Sequence, residues 1–265
     1  MKKTKFAVLF TALVSMLGLS SCLGEPDPYT TADGIFKTDG YIGYYKFKTA
    51  YGITVTPTNQ SMVTSDPGDF AYLYYKYDNR TVTQGTSEID VELQQPPVPI
   101  KTVNYIPVEQ EGNAPMVSYQ NNKEISLTRY LYDKNSLFVN LTYNVKVNKT
   151  DNSKNDLNNH NFYIFAESNT EGYTENDLVL RLAHVVSPGA TVENAEYKVY
   201  NDVRRIDLSL FMNSGKEYKR IIIKYQVEDN NGSSSEGDET IKLKDVSEPY
   251  ELNYEEFLRY FPEEE

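Results

Sequence analysis

The sequence predicts an all-β protein made of two β-rich blocks, and three observations carry that prediction. Short apolar or alternating segments recur along the chain, separated by turn residues, with no alternation of strand and helix that would build βαβ units. The aromatic content is 23 tyrosines and 11 phenylalanines without a tryptophan. Tyrosine and threonine suit a pleated, half-buried surface, where the ring packs and the hydroxyl reaches water. Finally, a single segment, close to the C-terminus, carries helix signals.

In the first block, Tyr41–Lys48 and Ile53–Thr56 read as strands joined by the bend Ala50-Tyr51-Gly52. Phe70–Tyr77 is a third strand, ended by Asp78-Asn79. Ile89–Leu93 alternates apolar and acidic residues, as a strand with one wet face does. Pro96-Pro97-Val98-Pro99 interrupts regular pairing because proline donates no ladder hydrogen bond. From there to Asn122 the chain reads as a connector with room for short strands.

The second block opens with Ile125–Tyr132 and Leu137–Val147, joined by the polar turn Asp133-Lys134-Asn135-Ser136. Leu137, Val139, Leu141, Tyr143, Val145 and Val147 share one face of the second strand. Asn148–Asn161 is a polar, asparagine-rich loop. Phe162–Phe165, Leu178–Val186, Val203–Leu210, Arg220–Val227 and Thr240–Leu243 supply further strands. The helix follows Asn253, a capping residue. Glu255 and Glu256 suit the positive end of its dipole, and Phe257, Leu258 and Phe261 give it a narrow apolar face.

The N-terminus specifies export. Met1-Lys2-Lys3 is basic, Phe6–Leu19 is apolar but shorter than the ~20 residues a spanning helix needs, and Leu19-Ser20-Ser21-Cys22 ends on a thiol. The expectation is a lipoprotein signal peptide over residues 1–21, with diacylglycerol on Cys22. An ordinary signal peptide with a chance cysteine is the alternative. Cys22 is the only cysteine, so no disulfide can form within the chain. Cleavage before Cys22 removes three lysines and no acid, which takes the formal charge from −12 to −15 on 244 remaining residues. That charge repels phosphate backbones, so no nucleic-acid partner is expected. It also repels an anionic bilayer, for which a covalent lipid compensates.

No catalytic constellation emerges. Acylation of Cys22 closes a cysteine mechanism, and no serine stands in a nucleophile-elbow context. The two histidines are His160, in the polar loop, and His184, beside Leu178–Leu182, where it reads as a satisfied structural residue. Two histidines are too few for a zinc site. Asp229–Glu239 is rich in oxygen ligands but lacks helix-loop-helix calcium spacing, and reads as a solvated hairpin loop. Chance alone supplies carboxylate pairs among 38 acidic residues. No catalytic residue, metal or cofactor is therefore assigned, and Cys22 is the one site residue.

Several segments resemble the NigD-like lipoproteins of Bacteroidota. They are Gly52-Ile53-Thr54-Val55-Thr56-Pro57-Thr58-Asn59, a strand running into a Pro-Thr-Asn turn, and the tyrosine-ended Tyr72–Tyr77. In the second block they are Ser136–Leu141, Leu180–His184, Arg205–Leu210 and Ile221–Tyr225. The likeness spans about residues 35–243. It implies an N-terminal OB-like barrel followed by a C-terminal immunoglobulin-like β-sandwich, with the short helix added. The expected division is a signal peptide at 1–21, a tether at 22–34, the barrel at 35–112 and the sandwich with its helix at 113–265. The expected function is non-enzymatic binding of an envelope protein or glycan by a lipid-anchored protein, located at the outer membrane. A fimbrial or adhesin-type subunit, or a surface glycan-binding module, is the alternative.

Overall fold

A computed structural model describes residues 27–116, 130–168, 170–189, 191–212, 216–228 and 242–259. The signal segment, Cys22, residues 125–129 and the Asp229–Glu239 loop lie outside these residues. The described chain is all-β apart from short helical turns.

The first unit is a five-stranded barrel. Its strands are β1 (Tyr29–Tyr41), β2 (Tyr44–Lys48), β3 (Thr54–Pro57), β4 (Phe70–Asp78) and β5 (Glu88–Leu93), ordered β1-β2-β3-β5-β4 and closed by pairing of β1 with β4. β3 and β5 run parallel and the other pairs antiparallel. That closed five-strand arrangement is the one the OB-like expectation requires. Phe36, Tyr45, Phe47, Val55, Ala71, Leu73, Val91 and Leu93 fill the interior.

Two departures from the expected strands have local causes. Ile42-Gly43 makes a two-residue hairpin turn that splits the stretch 41–48, with Gly43 at φ 87°. Tyr29–Gly34, read from sequence as tether, is instead the start of β1 and pairs with Leu73–Asp78. Gly40 is required where β1 bends: at φ 105°, a Cβ there would lie 2.3 Å from the Tyr44 carbonyl oxygen.

The Pro-Thr-Asn turn has a structural task. Asn59 Nδ2 donates to Leu93 O and Leu93 N donates to Asn59 Oδ1, both at 2.9 Å, so one side chain continues the β3–β5 ladder. Gln60 does the same for β2, accepting from Tyr45 N at 3.0 Å and donating to Tyr45 O at 2.8 Å.

β6 (Val98–Pro99) still pairs with β4, whereas β7 (Lys101–Thr102) pairs with the second unit. β7 and β8 (Asn104–Tyr105) are two halves of one strand that changes sheets at buried Val103. The second unit is a sandwich. One sheet has the order β7-β13-β10-β9, from β9 (Tyr130–Asp133), β10 (Ser136–Asn148) and β13 (Ala195–Asp207). The other runs β15-β14-β12-β11-β8, from β11 (His160–Ala166), β12 (Asp177–Val186), β14 (Arg220–Glu228) and β15 (Leu243–Asp245), with β16 (Tyr250–Asn253) also on β14. The alternating face of β10 packs against Phe162, Ile164, Leu178, Leu180, Leu182, Ile221 and Ile223, which makes this the larger core.

α1 (Ser209–Met212) follows β13. The expected C-terminal helix is α2 (Tyr254–Leu258), and Asn253 caps it by accepting from Glu256 N at 3.1 Å. A third apolar cluster joins the two units. Phe70 of β4 meets Tyr132 and Phe138 edge-on, with ring centroids 5.0 and 5.1 Å away. Tyr132 adds a hydroxyl hydrogen bond to Lys48 O.

Candidate functional site

Among the described residues, side chains able to do chemistry gather in three places. The first is inside the sandwich. His160 and His184, distant in sequence, share the core face of neighbouring strands β11 and β12 and meet with Nδ1 of His160 2.9 Å from Nε2 of His184. His184 Nδ1 lies 3.2 Å from the Pro115 carbonyl, which can only accept, so Nδ1 carries the hydrogen and Nε2 accepts from His160. His160 Nε2 then faces Asp156 Oδ1 at 3.2 Å. His184 stacks on Phe162 with centroids 4.6 Å apart, and Tyr143 packs against both imidazoles. Burial, reinforced by the adjacent His160, pushes the His184 pKa down to about 4. Both histidines are sealed and hydrogen-bonded, as the structural reading of His184 expects. The sequence also holds the signal for their meeting, because His160 has the parity of Phe162, and His184 that of Leu182.

The second place is a cleft of about 580 Å³ beside β14 and β16, lined by Asp177, Lys219, Arg220, Glu251 and Glu255 among others. Arg220 donates two hydrogen bonds to Asp177, at 2.8 and 2.7 Å, and Thr174 adds donors from its amide and hydroxyl. The guanidinium, as the largest cause, holds the Asp177 pKa at about 2. This pair is internally satisfied and fixes the start of β14 against β12.

The third place is a groove of about 360 Å³ at the junction of barrel and sandwich. Lys37 and Thr38 come from β1 and Asp69-Phe70 from the start of β4. The sandwich contributes the β9–β10 turn, with Asp133, Asn135 and Ser136, and the end of β13, with Arg205, Asp207 and Ser209 close by. Arg205 is the centre of this groove. Its Nε donates to Ser136 Oγ at 3.1 Å, Nη2 lies 3.2 Å from Asp207 Oδ2, and the guanidinium sits 5.1 Å from the Phe70 ring centroid. Nη1 is 4.0 Å from Asp69 Oδ2, beyond hydrogen-bonding distance, and so keeps donor capacity. Thr38 Oγ1 is buried in the groove wall without a hydrogen-bond partner among the described residues. Sequence reading missed this groove, since four separated segments build it. Its faint signal is that Arg205 sits on the face of β13 opposite Ile206, away from the sandwich core.

Among the described residues no cluster of His, Cys, Asp or Glu has the make-up of a metal site, and no helix is long and apolar enough to cross a membrane. The tyrosines divide between core positions such as Tyr45 and Tyr143 and exposed ones, with Tyr41 and Ile42 70% and 86% accessible at the β1–β2 hairpin tip.

No family model matches the chain, and neither does any curated protein sequence. Solved structures do. A candidate lipoprotein from Bacteroides fragilis is 22% identical, with a TM-score of 0.60 over 85% of this chain and 98% of its own. A NigD-like immunity protein from Bacteroides caccae, of the family the sequence resembles, is 14% identical, with a TM-score of 0.47 over 88% of this chain and 99% of its own. The order of barrel and sandwich described above is therefore a fold shared with the Bacteroides fragilis structure across nearly its whole length.

Proposed function

We propose that this chain is a NigD-like, lipid-anchored protein of the cell envelope that performs no catalysis and binds a partner protein in the groove between barrel and sandwich. Diacylglyceryl Cys22 would tether it to the outer membrane. The observation that carries the reading is Arg205. Its guanidinium is aligned by Ser136 and Asp207 over the Phe70 ring, yet among the described residues Nη1 has no carboxylate within hydrogen-bonding distance. Lys37 and Arg205 stand beside Asp69, Asp133 and Asp207, so the groove offers fixed donors and acceptors close together. That alternation suits a polypeptide segment, which carries both kinds of group, better than a phosphate chain. The volume is within the range of ligand-binding clefts, ~300–1,000 Å³. The test is capture from solubilised envelope with the tagged chain, comparing wild type with Arg205→Glu. One envelope protein enriched by wild type and reduced about tenfold or more by the variant is expected, since truncating a central, aligned arginine commonly removes ~2 kcal/mol or more. Equal capture by both removes the groove. Hydrolysis of a peptide, ester or glycoside that depends on His184 overturns the non-enzymatic reading.

A glycan-binding reading draws on one feature, the exposed Tyr41-Ile42-Gly43-Tyr44 tip, where the two tyrosine rings lie 6.1 Å apart. Affinity electrophoresis against a polysaccharide panel decides it. Retardation lost on Tyr41→Ala supports it, and free migration in every gel removes it.

A further inference from the structure

β13 is long and regular, and among the described residues it is open along most of one edge. Its register with β10 continues without a bulge from Ala195 to Asp207, while on its other side β7 covers only Arg204 and Arg205. Among the described residues no strand pairs with Ala195–Val203 on that side. Arg205 O accepts from Val103 N on the β7 side, at 2.8 Å. Ladder groups alternate along a strand, so the amides and carbonyls of Tyr197, Val199, Asn201 and Val203 point to the open side as well. The side chains there are large and accessible: Tyr197 is 64% exposed, Val199 41%, Tyr200 40% and Val203 36%. Such an edge is a template for another strand, and proteins ordinarily blunt it with a bulge, proline or shortening. No bulge, proline or shortening interrupts β13, and its charges, Glu196, Lys198 and Asp202, restrict which strand can pair there.

We infer that the occupant of this edge is β13 of a second copy of the chain, paired antiparallel about a two-fold axis at Tyr200. The charge pattern of Glu196-Tyr197-Lys198-Val199-Tyr200-Asn201-Asp202-Val203-Arg204 selects both the partner and the register. In this register Lys198 stands opposite Asp202 of the other copy, Tyr197 opposite Val203, Val199 opposite Asn201, and Tyr200 opposite itself. Each pairing is opposite in charge, aromatic against β-branched, or aromatic against aromatic, apart from Val199 with Asn201. Outward-pointing groups must meet outward-pointing groups, so permitted axes fall on single residues. Moving the axis to Val199 sets Glu196 against Asp202, and moving it to Asn201 sets Lys198 against Arg204. Both neighbouring registers therefore oppose like charges. The paired window of Tyr197–Val203 also ends where β7 begins to cover β13 at Arg204. Present contacts are compatible with the pairing. Lys198 Nζ reaches Glu196 and Asn152 on its own chain, and Asp202 Oδ2 accepts from Arg204, which leaves donor and acceptor capacity on both groups. The interface is isologous, as two-fold dimers require.

Single-cysteine cross-linking of the full-length chain in its own membranes reads the axis directly. Under mild oxidation, Tyr200→Cys gives a disulfide-linked dimer, because a residue on the axis faces its own copy. Tyr197→Cys and Val203→Cys, expressed singly, give less than a tenth of that product, and co-expressed they cross-link to each other. The unsubstituted chain, with Cys22 alone, controls for the native thiol. Equal cross-linking from all three positions, or none from Tyr200→Cys in folded protein, overturns the proposal. Tyr200 packs on Tyr143, so a variant at the more exposed Lys198 guards against misfolding. Lys198→Glu places like charges at two symmetric positions and weakens dimerisation about tenfold in analytical ultracentrifugation of the purified full chain. Combining it with Asp202→Lys restores association. A wild-type chain that sediments as a monomer at all concentrations up to the millimolar range overturns the inference.

Discussion

His184 shows how a residue that could do chemistry is committed to structure. The carbonyl of Pro115 sets its tautomer, His160 supplies its second hydrogen bond, and Phe162 and Tyr143 exclude water from its ring. A buried imidazole whose pKa falls from 6.5 to about 4 binds a proton more weakly folded than unfolded. Its contribution is therefore fully present above pH 6.5 and is lost as pH falls from 6.5 toward 4. Beside burial, the largest cause, His160 and Arg204 oppose its protonation, whereas the Pro115 carbonyl and Asp156 favour it. The expected loss across that window is of the order of 3 kcal/mol, from ~1.4 kcal/mol per pKa unit. Urea unfolding of wild type at intervals between pH 4 and 7.5 should show the slope. His184→Gln, which keeps one donor and one acceptor, should flatten it, and an unchanged slope in the variant would assign the effect to other groups. Asp177 acts in a separate window. Its pKa is held down at about 2 by Arg220, so its contribution is present above pH 3.8 and is lost as pH falls toward 2.

At the scale of elements, the joint between β4, β9 and β10 decides whether barrel and sandwich behave as one body. Phe70 is 2% exposed and has Tyr132 and Phe138 edge-on, so truncation leaves a cavity that neither sheet can close. Phe70→Ala should lower stability by about 3–5 kcal/mol. In calorimetry a single wild-type transition should resolve into two as the joint fails, whereas one broad transition would place the coupling elsewhere. How well each element reads from sequence follows from its burial. β10, β12 and β14 are legible because they alternate or are continuously apolar against a large core. The first two-thirds of β13 is not, because Glu196–Asn201 faces solvent and carries charge or tyrosine at most positions. β1 was hidden by threonine, aspartate and glycine, and its end by the apolar residue Ile42 at a turn where polar residues are usual. The junction groove was illegible for another reason. Periodicity reports which face of one element is buried, whereas this groove depends on how two closed sheets meet.

The whole molecule balances stability and placement without disulfides. Two filled cores and an aromatic joint stabilise it, while a surface excess of acid keeps it soluble and away from anionic headgroups. A body charged in this way has no electrostatic reason to stay on a membrane, and no described helix can cross one. The proposed attachment through Cys22 makes two linked demands. Wild-type chain should sediment with membranes, resist high salt and carbonate, and leave them only in detergent, because two or more acyl chains hold by apolar burial at ~0.8 kcal/mol per methylene. Cys22→Ser should pass almost entirely into the soluble fraction and should incorporate no labelled fatty acid. Salt separates this from any adsorption through basic patches, since screening shortens electrostatic reach to about 3 Å at 1 M without weakening an acyl anchor. Release of wild type by salt alone, or retention of Cys22→Ser on the membrane, would mean that the protein body carries the attachment, and the lipid would then lose its place in the argument.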